Sequence, residues 1–274
     1  MTLHARNVVK AADAPHEIFD DVLEELLVSG EIKVWKAREI VQNLIKKEPI
    51  VTDEFDAVTP GKVILLGEHS VVYGRHAIAV PVPLNIRVKI EDADDGVLLM
   101  IPSWGVEYYL DKKPEVRQSF EKPAALILEK MNLSNVGMKI EVFSDVPRGM
   151  GLGGSAVLAV SIIKALNHHY KMGLSEQEIN EMAYESEKIA HGNPSGIDNT
   201  IATYGYPLIY RKGEKTLKER LQIKEPLDLI LAFSKSEGLT AKTVAHVRTQ
   251  WKSNQEMYEG VFDDIDAIVL NGIQ

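Results

Sequence analysis

Pro147-Arg148-Gly149-Met150-Gly151-Leu152-Gly153-Gly154-Ser155-Ala156 decides the reading of this chain. Before it, Met138 to Phe143 alternates apolar and polar, as a half-buried strand does. After it, Val157, Leu158, Val160, Ile162, Ile163 and Leu166 recur at helical spacing up to Tyr170. The glycines therefore make a strand-to-helix turn with a helix N-terminus at its exit. Bare backbone lets an anion approach the N–H groups closely. The first helical turn adds unpaired N–H groups, and its dipole adds about half a positive charge. The stretch reads as a phosphate cradle, although an ordinary glycine-rich turn would carry the same letters.

Three better-known phosphate loops do not fit. A Walker A loop ends in Gly-Lys-Ser/Thr, and no Lys separates Gly154 from Ser155. Gly149-x-Gly151-x-x-Gly154 matches the dinucleotide fingerprint, but that fingerprint needs a second strand ending in an acid about twenty residues on. Here Gly173-Leu174-Ser175-Glu176 opens another helix instead. A protein-kinase glycine loop needs later His-Arg-Asp and Asp-Phe-Gly motifs, and the chain has neither.

Composition narrows the partners. The chain has 274 residues, enough for one large domain or two, with 45% hydrophobic and 26% charged residues. A net charge of −9 without a basic run argues against nucleic acid. With no cysteine there is no disulfide, thiolate metal site or Cys nucleophile. The longest apolar run, Ser155 to Ile163, is too short for a bilayer, so no membrane partner is expected. Arg6, Lys10 and Asp13 interrupt the N-terminus, which does not read as a signal peptide, and the expected location is cytoplasmic.

Residues 1–47 read as two short helices. One opens at Pro15, turns Ile18, Phe19, Val22, Leu23, Leu26 and Leu27 inward, and ends at Gly30. The second runs from about Val34 to Ile45. The polar stretch 48–54 is a linker, and a new unit starts at Phe55 with a short strand to Thr59. Pro60-Gly61-Lys62 and Gly67-Glu68-His69 come next, placing Lys62, Glu68 and His69 in an otherwise apolar run. Buried charges need partners, and an internal Lys–Glu salt bridge is the plain alternative to a site. Strands are expected over Ala77–Ile90 and Val97–Leu110, and a helix over Ser119–Met131.

The next helix is well signalled. Ser175 is the N-cap, Glu178 completes a capping box, and Leu174 with Ile179 can staple the entry. Glu187 falls near its C-terminal end, where a carboxylate opposes the dipole and invites a partner such as a metal; a solvated surface Glu is the commoner case. His191-Gly192-Asn193-Pro194-Ser195-Gly196 then turns sharply into Ile197-Asp198-Asn199. Asp198 is either a fixed carboxylate or an Asx-turn residue, and a lone His191 at a helix end is more often structural. Further on, Leu229–Phe233 reads as a buried strand and Thr240 to about Trp251 as a helix.

Together, Pro60-Gly61-Lys62 with Gly67-Glu68-His69, the loop Pro147 to Ala156, and Glu187 with His191 to Asn199 resemble the mevalonate kinases of the GHMP kinase superfamily. The resemblance runs from about Phe55 to the end. It implies an α/β fold of the α+β type, with two lobes and a mixed sheet: an N-terminal ATP-binding lobe at 55–215 and a partial C-terminal lobe at 216–274. It implies ATP-dependent phosphorylation of the C5 hydroxyl of mevalonate, with Mg²⁺ as cofactor and mevalonate and ATP as partners.

By that resemblance Gly149, Met150, Gly151, Leu152, Gly153, Gly154 and Ser155 wrap the ATP phosphates. Ser155 and Glu187 hold Mg²⁺, Asp198 takes the hydroxyl proton, and Lys62 stabilises developing charge. Glu68 and His69 line the substrate side with Thr240, while Ser144 and Ser103 face the nucleotide. Phosphoryl transfer is positioning plus electrostatics, so a cradle, a metal, a cation and one carboxylate suffice.

Two departures stand out. Gly154 replaces the first Ser of the usual Gly-Leu-Gly-Ser-Ser, and a third glycine-rich motif expected near the family's C-terminus is missing, so the C-terminal lobe reads as cut short. Another GHMP kinase acting on phosphomevalonate or a sugar, or a non-catalytic nucleotide-binding remnant, stays open. Residues 1–47, beginning Met1-Thr2-Leu3-His4-Ala5-Arg6-Asn7, resemble the C-terminal end of a class II HMG-CoA reductase. In that family a catalytic His directly precedes the matching Met, and His4 matches a second, non-catalytic His. The whole then reads as an internal piece of a reductase–kinase fusion, with homodimerisation left open.

Overall fold

The computed structural model describes residues 55–110, 121–192, 194–224, 229–232 and 240–273. The chain divides between Thr52 and Asp53, and all the described residues belong to the second unit. The expected helical pair at 1–47 and the linker lie outside the described residues.

In chain order the elements are β1 (Ala57–Leu66), β2 (His76–Asp92), β3 (Val97–Ile101), β4 (Val106–Tyr109), α1 (Glu121–Lys130), β5 (Met138–Ser144), α2 (Gly154–His169), α3 (Glu176–His191), α4 (Ile197–Tyr204), β6 (Leu208–Arg211), β7 (Leu217–Arg220), α5 (Thr240–Ser253) and α6 (Gln255–Gly272). The seven described strands form one mixed sheet ordered β4-β3-β5-β2-β6-β7, with β1 on the other edge of β2. Among them, β3 and β5 run parallel and the other pairings are antiparallel.

β2 is the spine because it is long enough to serve three neighbours. β1 follows it from Val88 to Ile78, β5 takes its C-terminal half and β6 its first residues. Its burial pattern reports what covers it. Ile86, Val88 and Ile90 are buried while Arg87, Lys89 and Glu91 face the other way, the alternation of a sheet with one packed face. Ala77 to Val80 is buried without alternation, because both faces are covered there. Ala77 and Ala79 pack with Ile197 and Ile201 of α4, and Gly272 of α6 lies where a Cβ would come within 2.8 Å of Leu66 and 3.9 Å of Ile78.

α2 is apolar nearly all round and lies inside the unit, with Val157, Val160, Ile162, Ile163 and Leu166 essentially inaccessible. α3 keeps one buried stripe, Ile179, Ala183 and Glu187. Its capping box forms: Ser175 Oγ accepts from the Glu178 N–H, and the Glu178 carboxylate accepts from the Ser175 N–H at 2.8 Å.

Two expectations are corrected. The first strand is not confined to Phe55–Thr59: it runs through Pro60-Gly61 to Leu66, because a bulge at Pro60/Gly61 absorbs the proline without ending the ladder. Gly61 fits there because a Cβ would meet the Leu84 carbonyl at 3.1 Å. Leu229–Phe233 is not a buried strand over its described part. Leu229 and Ile230 are 43% and 71% exposed, and residues 229–232 join no ladder. Apolar letters make a strand only where a neighbour offers a free edge. Phe233 lies outside the described residues.

α6 is fastened to the turn that comes after β1. Arg75 reaches Asp263 at 2.7 Å and Glu259, His76 Nδ1 lies 2.9 Å from Asp266, and Tyr73 stacks on Phe262 at 4.3 Å. No described helix is long and apolar enough to cross a membrane.

Candidate active site

The glycine loop joins β5 to α2, as its letters predict. Gly149, Gly151 and Gly153 all have positive φ, which L side chains adopt only with strain. Gly153 is the N-cap of α2 and supplies no side-chain cap, so the first N–H groups of the helix have no side-chain acceptor. A Cβ at Gly151 would meet nothing within 4 Å, so the loop has an open side. The loop is held from behind: Trp104 Nε1–H and Ser144 Oγ–H both donate to the Val146 carbonyl, at 3.1 and 2.9 Å. Ser144 thus braces the loop. Ser103, beside Trp104, is exposed on a short 3-10 turn. A Cβ at Gly154 would lie 3.7 Å from the Trp104 ring, ordinary contact that would admit the serine common at this place.

Lys62 comes from β1 and passes directly beneath the loop. Its N–H donates to the Leu152 carbonyl at 3.3 Å, and a Cβ at Gly153 would be 3.0 Å from Lys62 Cε and 3.6 Å from Asp198 Cβ. Its ammonium lies 3.0 Å from Asp198 Oδ1. Lys62 is 4% exposed, whereas the Asp198 side chain remains one-third open. Burial alone would lower the lysine's pKa; Asp198, Glu68 and Glu187 outweigh it and raise the pKa above its ordinary value. The cation therefore stays charged in a dry place.

Asp198 stands in the first turn of α4, and that helix is pinned at both ends. Gly196, at φ +90, is its N-cap, and a Cβ there would fall 2.6 Å from the Tyr210 hydroxyl. Tyr210 Oη donates to the Ser195 carbonyl at 2.8 Å and Lys212 Nζ to the Pro194 carbonyl at 2.7 Å. At the far end Lys164 Nζ caps the carbonyls of Ala202 and Thr203. Asn199 Nδ2 ties the helix to Asn180 Oδ1 of α3 at 2.7 Å.

Glu187 is not a solvated surface carboxylate. It is 4% exposed, and burial, with the nearby Asp198 charge, pushes its carboxyl up to about 8; Ser155 and Lys62 pull the other way. The stripe Ile179, Ala183, Glu187 at i, i+4, i+8 carries this burial, and the same spacing reaches His191. His191 Nε2 lies 3.0 Å from Ser155 Oγ and 3.7 Å from Glu187 Oε2, so this histidine belongs to the site. Burial lowers its pKa.

Glu68 is exposed and acts on Lys62 through its charge. His69 is half-buried at φ +63 in the turn before Ser70–Tyr73. Thr240 opens α5, and its side chain lies outside the described residues. Sequence reasoning did not single out Trp104, Tyr210 or Lys164. Each acts on backbone carbonyls distant in sequence, for which no local pattern exists.

These parts bring together N–H groups without a side-chain cap, a buried cation, a carboxylate beside it and a buried acid near a hydroxyl, groups able to bind an anion and accept a proton. A family model described as "GHMP kinases N terminal domain" matches residues 119–206. The mevalonate kinase of Archaeoglobus fulgidus is 34% identical over 216 residues, covering 78% of this chain and 70% of that protein. That of Pyrococcus furiosus is 33% identical over 228 residues, covering 78% and 67%. The structure of L. major mevalonate kinase in complex with R-mevalonate superposes with a TM-score of 0.61 at 27% identity, over 79% of this chain and 67% of that one. The chain belongs to the mevalonate kinase family of GHMP kinases.

Proposed function

We propose that the chain transfers the γ-phosphoryl group of ATP to the C5 hydroxyl of mevalonate. The observation that carries this is the Lys62–Asp198 pair packed beneath Gly153 at the mouth of α2. In this reading the loop Gly149–Ser155 takes the phosphates on its N–H groups and the α2 N-terminus. Asp198 orients the acceptor hydroxyl and takes its proton. Lys62 holds Asp198 through their ion pair and offsets charge on the moving phosphoryl oxygens. Glu68, His69 and Thr240 belong to the acceptor side, and Ser103 and Ser144 to the nucleotide side.

Mg²⁺ fits the donors present. The described residues hold no cluster of three or more His, Cys, Asp or Glu able to bind a metal alone. Mg²⁺ characteristically takes one or two protein oxygens and completes its shell with phosphate and water. Glu187 is a buried carboxyl with its pKa held high, and a dication would favour its ionised form; Ser155 supplies the second oxygen. When bound, the ion would supply positive charge that offsets charge on the phosphate groups.

The finer assignments belong to the same proposal. Residues 55–215 are assigned to the ATP-binding lobe and 216–274 to a second, and Met1 to Asn7 supports a resemblance of 1–47 to the C-terminal end of a class II HMG-CoA reductase. A coupled ADP-release assay on mevalonate, phosphomevalonate and galactose tests the acceptor. Turnover on mevalonate alone supports the proposal; turnover on either of the others, without mevalonate, overturns it.

A further inference from the structure

Ser155 Oγ has one proton and two neighbours able to accept it. One is the Glu187 carboxylate, whose titration it influences; the other is His191 Nε2 at 3.0 Å. If Glu187 and Ser155 share a cation, the carboxylate oxygens are taken up by that ion. A hydroxyl oxygen that ligates a cation turns a lone pair to it and points its proton elsewhere. Aimed at Glu187, the proton would compete with the metal for the same oxygen. His191, from the last turn of α3, stands on the same helix face as Glu187, four residues on, and is placed to take it.

We infer that His191 is a positioning residue for the metal site: through Nε2 it accepts the Ser155 hydroxyl proton and so turns the Ser155 oxygen toward a cation shared with Glu187. This rests on the metal reading above. It requires the tautomer that leaves Nε2 unprotonated. No bond is made or broken, and His191 acts through Ser155. Hydrogen-bond partners that orient ligands in this way commonly change metal affinity by about 10–100-fold when removed.

Mn²⁺ serves as the probe, its binding in the presence of excess ATP read by electron paramagnetic resonance on the full chain. His191→Leu, which cannot accept a proton, should weaken Mn²⁺ binding about tenfold or more. His191→Gln, whose carbonyl can accept, should stay within about threefold of wild type. The His191 side chain is 34% exposed, so both changes should leave the melting curve near that of wild type, and His191→Ala repeats the test if leucine unfolds the chain. Glu187→Ala is the control. If Glu187→Ala weakens Mn²⁺ while His191→Leu and His191→Ala bind it as wild type does, the inference about His191 is overturned and the metal reading stands. If Glu187→Ala itself leaves Mn²⁺ binding unchanged, the metal reading fails and the inference with it.

Discussion

Lys62 and Asp198 meet directly under Gly153: the ammonium is 3.0 Å from Asp198 Oδ1, and the lysine stem fills the space where a Gly153 side chain would be. One comes from a strand of the first antiparallel pair, the other from a short helix more than a hundred residues later. The loop that binds phosphate in our proposal is thus seated on the pair that we propose acts on the acceptor.

Gly153→Ala tests that seating. The substitution forces a left-handed φ of +71 on a residue with a Cβ and drives that Cβ to about 3.0 Å from the lysine stem. Displacing a reacting group by about 1 Å can cost on the order of 100-fold in rate. We expect kcat/KM for ATP to fall by about that factor, with the fold retained by circular dichroism. A variant within about threefold of wild type would show that the loop does not depend on the contact.

Glu187 sets a pH dependence with a definite sign. Its carboxyl titrates near 8 in the folded chain and near 4.5 when free. Between those values the folded chain holds a proton that the unfolded chain has released. Stability from this group is therefore complete below about 4.5 and falls as pH rises toward about 8. Glu187→Gln removes the penalty. Without metal, it should melt several degrees above wild type at pH 8, since 1 kcal/mol shifts Tm by about 2–4 °C at this size. The gap should narrow at pH 5 and close below about 4.5. Equal melting temperatures at pH 8 would mean that the carboxyl is not buried as described.

Arg75 fastens α6 to the turn after β1 through Asp263, Glu259 and the Tyr73 carbonyl. Asp263 is largely exposed, so the ion pairs are screened and Arg75→Met should cost only about 1 kcal/mol. The local effect should be larger than the global one. Amide exchange should quicken in α6 while α2, buried in the sheet's core, keeps its protection. Unchanged exchange in α6 would assign its attachment to His76–Asp266, the Tyr73–Phe262 stack and the apolar contacts.

Much of the site was legible in the letters because it is made of local patterns: glycines before an apolar helix, a capping box, a glycine-bounded turn before Asp198. The burial of Glu187 was not read from the letters, although its i, i+4, i+8 spacing with Ile179 and Ala183 carried the signal. What stayed hidden depended on distant partners. Pro60-Gly61 looks like a strand end, and only the register against β2 shows a bulge. Leu229 and Ile230 look like a core strand, yet no edge receives them. Tyr210 and Lys164 hold α4 through carbonyls that carry no side-chain signature.

The central claim is that Asp198, beside Lys62, acts on the acceptor and not on the nucleotide. The direct measurement is kcat for mevalonate together with the dissociation constant for ATP in Asp198→Asn, which preserves size while removing the charge. If the carboxylate serves the acceptor, kcat should be lower by about 10²–10⁴ with nucleotide affinity within about threefold. A variant that kept more than about a third of wild-type kcat, or whose loss lay entirely in ATP binding, would contradict the claim.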